Sequence, residues 1–159
     1  MKVSVRTALP SDQKAIVSVR QDATDTLRAT YFPKEAAIRS KASVSDSLHT
    51  LVAEVDAQIL GTVQYRIADG ILSIIGLSVS KNARRNGIAR ALVERLVALA
   101  ADDGISKLSL WCVKETGNPQ IFERLGFYSV HEENSTLFAS SKYPSLTEVR
   151  MEMDVARGV

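Results

Sequence analysis

Leu77 to Gly104 reads LSVSKNARRNGIARALVERLVALAADDG. Its apolar start is strand-like, its middle is a short cationic turn, and its end is an amphipathic helix. In that helix Ile88, Leu92, Leu96 and Leu99 recur at spacings of three and four, with Ala89, Val93 and Ala100 widening the stripe and Arg90, Glu94 and Arg95 outside it. Gly104 is placed to end the helix. The turn, Ala83-Arg84-Arg85-Asn86-Gly87-Ile88-Ala89, precedes the first helical N–H groups. Those groups have no intrahelical partner, and the helix dipole makes that end positive. Small residues at Gly87 and Ala89 let an anion reach the backbone, and Arg84, Arg85 and Arg90 add attraction for phosphate.

Outward from this stretch, the pattern alternates short strands and helices. Val3–Arg6 is a first strand, and Pro10-Ser11-Asp12 opens a helix that runs to about Arg28, with Ser11 or Asp12 as cap. Pro33 ends the following segment, and a second short helix is expected from Lys34 to about Ala42, followed by a polar link at Ser43–Ser47. His49–Val55, Ile59–Ala68 and Ile71–Val79 form an antiparallel meander through turns at Asp56-Ala57-Gln58 and Asp69-Gly70. Gly76 marks a bulge or a close backbone approach. The helix from Gly87 leads to a strand at Lys107–Val113, parallel to Ile71–Val79 by a right-handed crossover. A short helix at Pro119–Leu125, closed by Gly126, precedes strands at Phe127–His131 and Leu146–Met153, with a long polar link, Glu132–Ser145, between them.

The 159 residues suit a single domain over 1–155 with a loose end at 156–159. A net charge of +2 with dispersed Lys and Arg argues against a nucleic-acid partner. The absence of a long apolar run and of a signal-peptide core argues against a membrane, and a cytoplasmic location is expected. The single Cys112 excludes an internal disulfide framework, and His49 and His131 are isolated, so no metal site is expected.

Arg84-x-x-Gly87-x-Ala89 after a Leu-x-Val strand resembles the acyl-CoA-binding motif of the GNAT N-acetyltransferase family, and Phe122-Glu123-Arg124-Leu125-Gly126-Phe127 resembles that family's Tyr-Glu-x-x-Gly-Phe segment. The element order matches over nearly the whole chain. The resemblance implies an α/β (α+β) fold: a mixed sheet of about seven strands, with the fourth and fifth strands splayed, and about four helices. It also implies acetyl-CoA as acyl donor, held by Leu77, Ser78, Val79, Arg84, Arg85, Asn86, Gly87, Ile88, Ala89, Asn118 and Phe122. The implied reaction is direct attack by the amine of an unidentified small molecule or peptide on the thioester. A homodimer is left open. Phe122 stands where many members have the general-acid Tyr and has no proton to give. Cys112, Tyr65, Tyr128 and Tyr143 are substitutes to weigh, Tyr128 being the one named for the site, and Glu54 is the candidate base. Thr24–Lys34 and Glu132–Ser145 are the expected acceptor walls. The missing Tyr gives a rival reading, a non-catalytic acyl-CoA-binding module.

Overall fold

A computed structural model of the chain describes residues 2–35, 37 and 48–156. In order they form β1 (Ser4–Thr7), a 3-10 turn (Pro10–Asp12), α1 (Gln13–Arg28), β2 (Phe32–Pro33), β3 (His49–Val55), β4 (Gln58–Ala68) and β5 (Ile71–Val79). Then come α2 (Ile88–Asp102), β6 (Lys107–Val113), α3 (Asn118–Arg124), β7 (Tyr128–Asn134), β8 (Phe138–Ala139) and β9 (Thr147–Asp154). The helix expected from Lys34 to about Ala42 falls mostly outside the described residues, as do the Ser43–Ser47 link and the last three positions of the loose end. No helix among the described residues is long and apolar enough to cross a membrane.

The main sheet has seven strands in the order β1-β3-β4-β5-β6-β9-β7. β1, β3, β4 and β5 are antiparallel neighbours, β5 and β6 run parallel, and β9 pairs antiparallel with both β6 and β7. The meander follows from its turn residues: Asp56 and Ala57 take φ of 51° and 64°, and Asp69 and Gly70 take 54° and 75°. Two successive positive φ values give the turn twist that matches flanking strands. The parallel step requires a crossover, and α2 supplies it.

Each face of the sheet carries a helix. The α2 stripe buries Ile88, Leu92, Val93, Leu96 and Ala100 in one cluster with Leu51, Ala53, Val63, Leu72, Leu108 and Met151 of the strands. Each such large side chain contributes roughly 1.5–3 kcal/mol when fully buried. On the opposite face α1 packs over β4 and β5, with Ile16 and Val19 buried. Alternation along β3 and β4 turns the buried Val52 and Thr62 to that face, and the Thr62 hydroxyl donates to the Leu51 carbonyl at 2.9 Å.

β2 and β8 form a separate antiparallel pair, Phe32 opposite Ala139 and Pro33 opposite Phe138. The link expected between the last two long strands is therefore shorter than the sequence implied, since β7 itself runs to Asn134. A two-residue strand carries no periodicity, so such pairing is invisible until the chain has folded.

Arg6 ties the sheet edge to the start of α1. Its Nε donates to Glu54 at 2.6 Å, and its two terminal nitrogens reach the Asp12 carboxylate at 2.7 and 3.0 Å. Asp12 also accepts the Leu9 N–H at 2.7 Å, serving the turn before α1 rather than capping it. Arg6, and then the Leu9 N–H, hold the Asp12 carboxyl down at about 2. Because the folded value lies below the unfolded one, this stabilisation is present above about pH 4 and lost as the pH falls through about 2. Urea titrations of the parent and Asp12→Asn should therefore differ at pH 6 and converge toward pH 2.

Gly61 sets the distance between sheet and α2. A Cβ there would lie 2.5 Å from Ile88 Cγ2 and 3.2 Å from Leu92 Cδ1. Both neighbours are buried, so Gly61→Ala should lower stability by ~1–3 kcal/mol through overpacking, read as a shifted urea midpoint with unchanged slope.

Candidate functional site

The site begins where two strands part. β5 and β6 pair from Ile71–Lys107 to Ile74–Leu110 and no further, although both strands continue. At the same level the register with β4 jumps from Tyr65–Ile74 to Gln64–Gly76, leaving Ile75 as an extra residue. A bulge bends its strand and increases its twist. Beyond it Leu77, Ser78 and Val79 stay paired with Val63, Thr62 and Gly61 of β4 but have no β6 partner among the described residues. Backbone groups facing the gap are thus available to a ligand that carries amides.

The chain then enters the cationic turn. Lys81–Ala83 make a 3-10 turn, Arg85 takes φ of 66°, and Gly87 sits at φ 77° as the N-cap of α2. Glycine has no side-chain oxygen, and no side chain caps this helix end. The first α2 amides are left open, where an ordinary cap is worth ~1 kcal/mol. Nothing lies within 4 Å of a Cβ built at Gly87, so the space beside this residue is clear.

Arg84 does not point into this space. Its Nε donates to the Val79 carbonyl at 3.3 Å, and its terminal nitrogens donate to Thr26 Oγ1 at 3.0 Å and to the Asp22 carbonyl at 3.3 Å. From α1, the Asp22 carboxylate accepts the Lys81 N–H at 2.9 Å and the Ser80 hydroxyl at 3.3 Å. Together these contacts fasten the turn to α1.

The parted strands, the turn, α1 and α3 enclose a groove of about 580 Å³. All the donor-site residues named from sequence line it except Ser78 and Asn86. α1 adds Ala23, Thr26 and Leu27, and α3 with its C-terminal cap adds Ile121, Arg124 and Leu125; of these only Arg124 and Leu125 lie within a motif quoted from the sequence, at its variable positions. Arg84, Arg85, Arg90 and Arg124 all line it, with no Asp or Glu among the described lining residues. None of these arginines forms a salt bridge among the described residues, and Arg90 donates to the Arg124 carbonyl at 3.0 Å. Arg90, in the first turn of α2, is also a cation at the positive end of a dipole. An elongated polyanion is the complement of such a groove.

Asn118 starts α3, where Gly117 takes φ of 81° and the Asn118 N–H donates to Thr116 Oγ1 at 3.1 Å. Phe122 is partly buried, its ring 5.8 Å from Phe127 in a T-shaped contact, so it forms an apolar wall. Glu54 is held by Arg6 and does not line the groove. Tyr128 lies level with Ser109 through Glu152, toward the end of the sheet away from the parted strands, and its hydroxyl donates to Asp154 at 3.1 Å. Cys112 lies on the parted length of β6, its Sγ 3.9 Å from Met151 Sδ, and burial pushes its thiol up to about 11. It is a protonated thiol at neutral pH. Tyr65 is buried against His49, and Tyr143 is exposed. The two expected acceptor walls meet: the rings of Tyr31 and Phe138 are 4.9 Å apart, with Arg28 over Tyr31 at 5.9 Å.

Among solved structures of similar fold, the Streptococcus mutans protein smu.2055 is 23% identical, with a TM-score of 0.75 over 98% of this chain and 100% of its own. The ribosomal-protein-S18-alanine N-acetyltransferase of Escherichia coli is 14% identical, with a TM-score of 0.73 over 99% of this chain and 97% of its own. The PaiA N-acetyltransferase of Thermoplasma acidophilum, solved in complex with coenzyme A, is 15% identical, with a TM-score of 0.70 over 97% and 99%. A comparison with curated proteins gives no significant match. The family model described as "Acetyltransferase (GNAT) family" matches residues 16–127, a span that holds most of α1, the parted strands, the cationic turn and α3. With most of the chain inside that match, this protein belongs to the GNAT acetyltransferase family.

Proposed function

We propose that the chain is an acetyl-CoA-dependent N-acetyltransferase that transfers the acetyl group to an amine. One observation carries the reading: a groove where no described carboxylate neutralises Arg85, Arg90 and Arg124, at an uncapped helix start, leads into a strand that has lost its partner. The polar halves of the donor match it in sequence. The pyrophosphate would rest on the open amides from Gly87 to Ala89, and the amide-bearing arm would pair with Leu77–Val79. Asn118 and Phe122 would close the far side. The Thermoplasma neighbour, solved with coenzyme A, supports this class of ligand.

In the proposed reaction the neutral amine attacks the thioester carbonyl carbon. A C–N bond forms, the carbonyl oxygen becomes an oxyanion, and a backbone N–H freed by the strand separation stabilises it. The C–S bond then breaks, leaving an amide and the thiolate of CoA. Phe122 donates no proton, and neither Glu54 nor Tyr128 borders the groove, so we assign none of them a step. The amine proton leaves through water, and the thiolate is tolerable as a leaving group near neutral pH.

Gly87→Glu tests the donor site, because its carboxylate would both block and repel the pyrophosphate. The positive φ costs about 1 kcal/mol in a non-glycine residue, so the variant should fold. CoA at ~100 times its dissociation constant should stabilise the parent by ~2.7 kcal/mol, and the variant should bind at least ~10-fold more weakly. Unchanged affinity in the folded variant would overturn the assignment, and tight CoA binding without thiol release across an amine panel would favour a non-catalytic module.

Arg84 and Arg85 should separate by readout. Arg84→Ala leaves the Val79 carbonyl without its side-chain donor and should lower stability by ~1–3 kcal/mol. Arg85→Ala should leave stability within ~0.5 kcal/mol while weakening CoA binding at low salt, a difference that shrinks at high salt.

A further inference from the structure

Leu77 lines two cavities, the donor groove and a smaller one beside α1. The second, about 130 Å³, lies on the α1 face between Arg20 and Thr24 of α1, Thr62 and Gln64 of β4, and the bulged part of β5. At ~30 Å³ per water it has room for about four waters, or for one small polar group. The extra residue at Ile75 accompanies it, and the space beside Gly76 is clear, since a Cβ built there meets nothing nearer than Gln64 Oε1 at 4.0 Å. Leu77 is common to this cavity and the donor groove, at the level where β6 has already parted from β5.

The chemistry of the lining is one-sided. It offers a guanidinium, an amide and hydroxyl groups, and no Asp or Glu among the described lining residues. Arg20 is half-buried and forms no salt bridge among the described residues. The nearby α1 carboxylates are engaged elsewhere: Asp22 by Ser80 and Lys81, and Asp25 by Gln21. Next along the same face of β4, two residues beyond Gln64, Arg66 has a buried Nε without a hydrogen-bond partner among the described residues. A buried N–H without an acceptor is costly, and the planar fork of a guanidinium matches a carboxylate.

We propose that the amine acceptor carries a carboxylate, and that Arg20 holds this carboxylate in the α1-side cavity while the amine reaches the thioester past Leu77. The assignment rests on the donor site proposed above. The step is the one already balanced: the C–N bond forms, the C–S bond breaks, and the amine proton goes to water. The carboxylate belongs either to a free amino acid or to an acidic peptide, and the two sources share the same recognition.

The test compares thiol release from acetyl-CoA with matched acceptors: free α-, β- and γ-amino acids, their neutral amides, and short peptides with and without an acidic residue beside the amine. Carboxylate-bearing members should exceed their neutral counterparts by at least ~10-fold in kcat/KM, as expected for a charge-assisted contact. Arg20→Gln should erase that ratio, and Arg20→Lys should restore part of it, with CoA affinity and melting temperature unchanged in both. Preference for free amino acids over acidic peptides, or the reverse, identifies the source. Equal rates for neutral counterparts, or a preference that survives Arg20→Gln, would overturn the proposal. If no acceptor turns over, the same carboxylates are titrated calorimetrically into the CoA-saturated parent and Arg20→Gln; absence of Arg20-dependent binding also overturns it. Failure of CoA itself to bind counts against the donor site instead, and carboxylate binding to the free protein then decides the Arg20 assignment separately.

Discussion

The site depends on the loss of one set of hydrogen bonds. Parallel pairing between β5 and β6 stops at Ile74 and Leu110, at the bulge where Ile75 has no counterpart on β4. Every buried backbone group needs a partner, so a gap opened inside a sheet must be filled by side chains, water or ligand. Here Arg84 meets the Val79 carbonyl, and the remaining edge faces the groove. The small cavity on the α1 face accompanies the same bulge. Leu77, just beyond that extra residue, borders both the groove and the small cavity.

Holding that gap open requires a rigid frame. α2 is pinned at its first residue, since Ile88 is buried against Gly61 with no room for another methyl group. α1 is pinned at Asp22 and Thr26 by the turn, and at its start by Arg6 through Asp12. The arginine that the motif offers for phosphate is spent on this frame. Attraction for an anion then comes from Arg85, Arg90 and Arg124, whose charges no described carboxylate neutralises. A motif residue can therefore serve a site through the backbone it positions.

Most of the fold was legible because it follows local rules. Asp69-Gly70 admits two positive φ values, so the hairpin between β4 and β5 was readable, and the Ile88–Leu92–Leu96 stripe has a helical period. The β2–β8 pair was not legible, because two-residue strands have no period and their partners lie about a hundred positions apart. Likewise Glu54 at the end of a strand reads as a free carboxylate until Arg6, on the neighbouring strand, is seen to hold it.

The sequence by itself determined the element order, the parallel step through α2, and a small-residue turn at the start of that helix, since each rests on residues adjacent in the chain. Only the tertiary structure decided which side chains share the groove, and that Arg84 turns back to α1. It alone brought Arg20 into one small cavity with Leu77, Gln64 and Ser78. The physical reason is that charge compensation and cavity shape depend on distances between segments far apart in the chain. Those distances are set by how the helices pack on a twisted and bulged sheet, which no local pattern encodes.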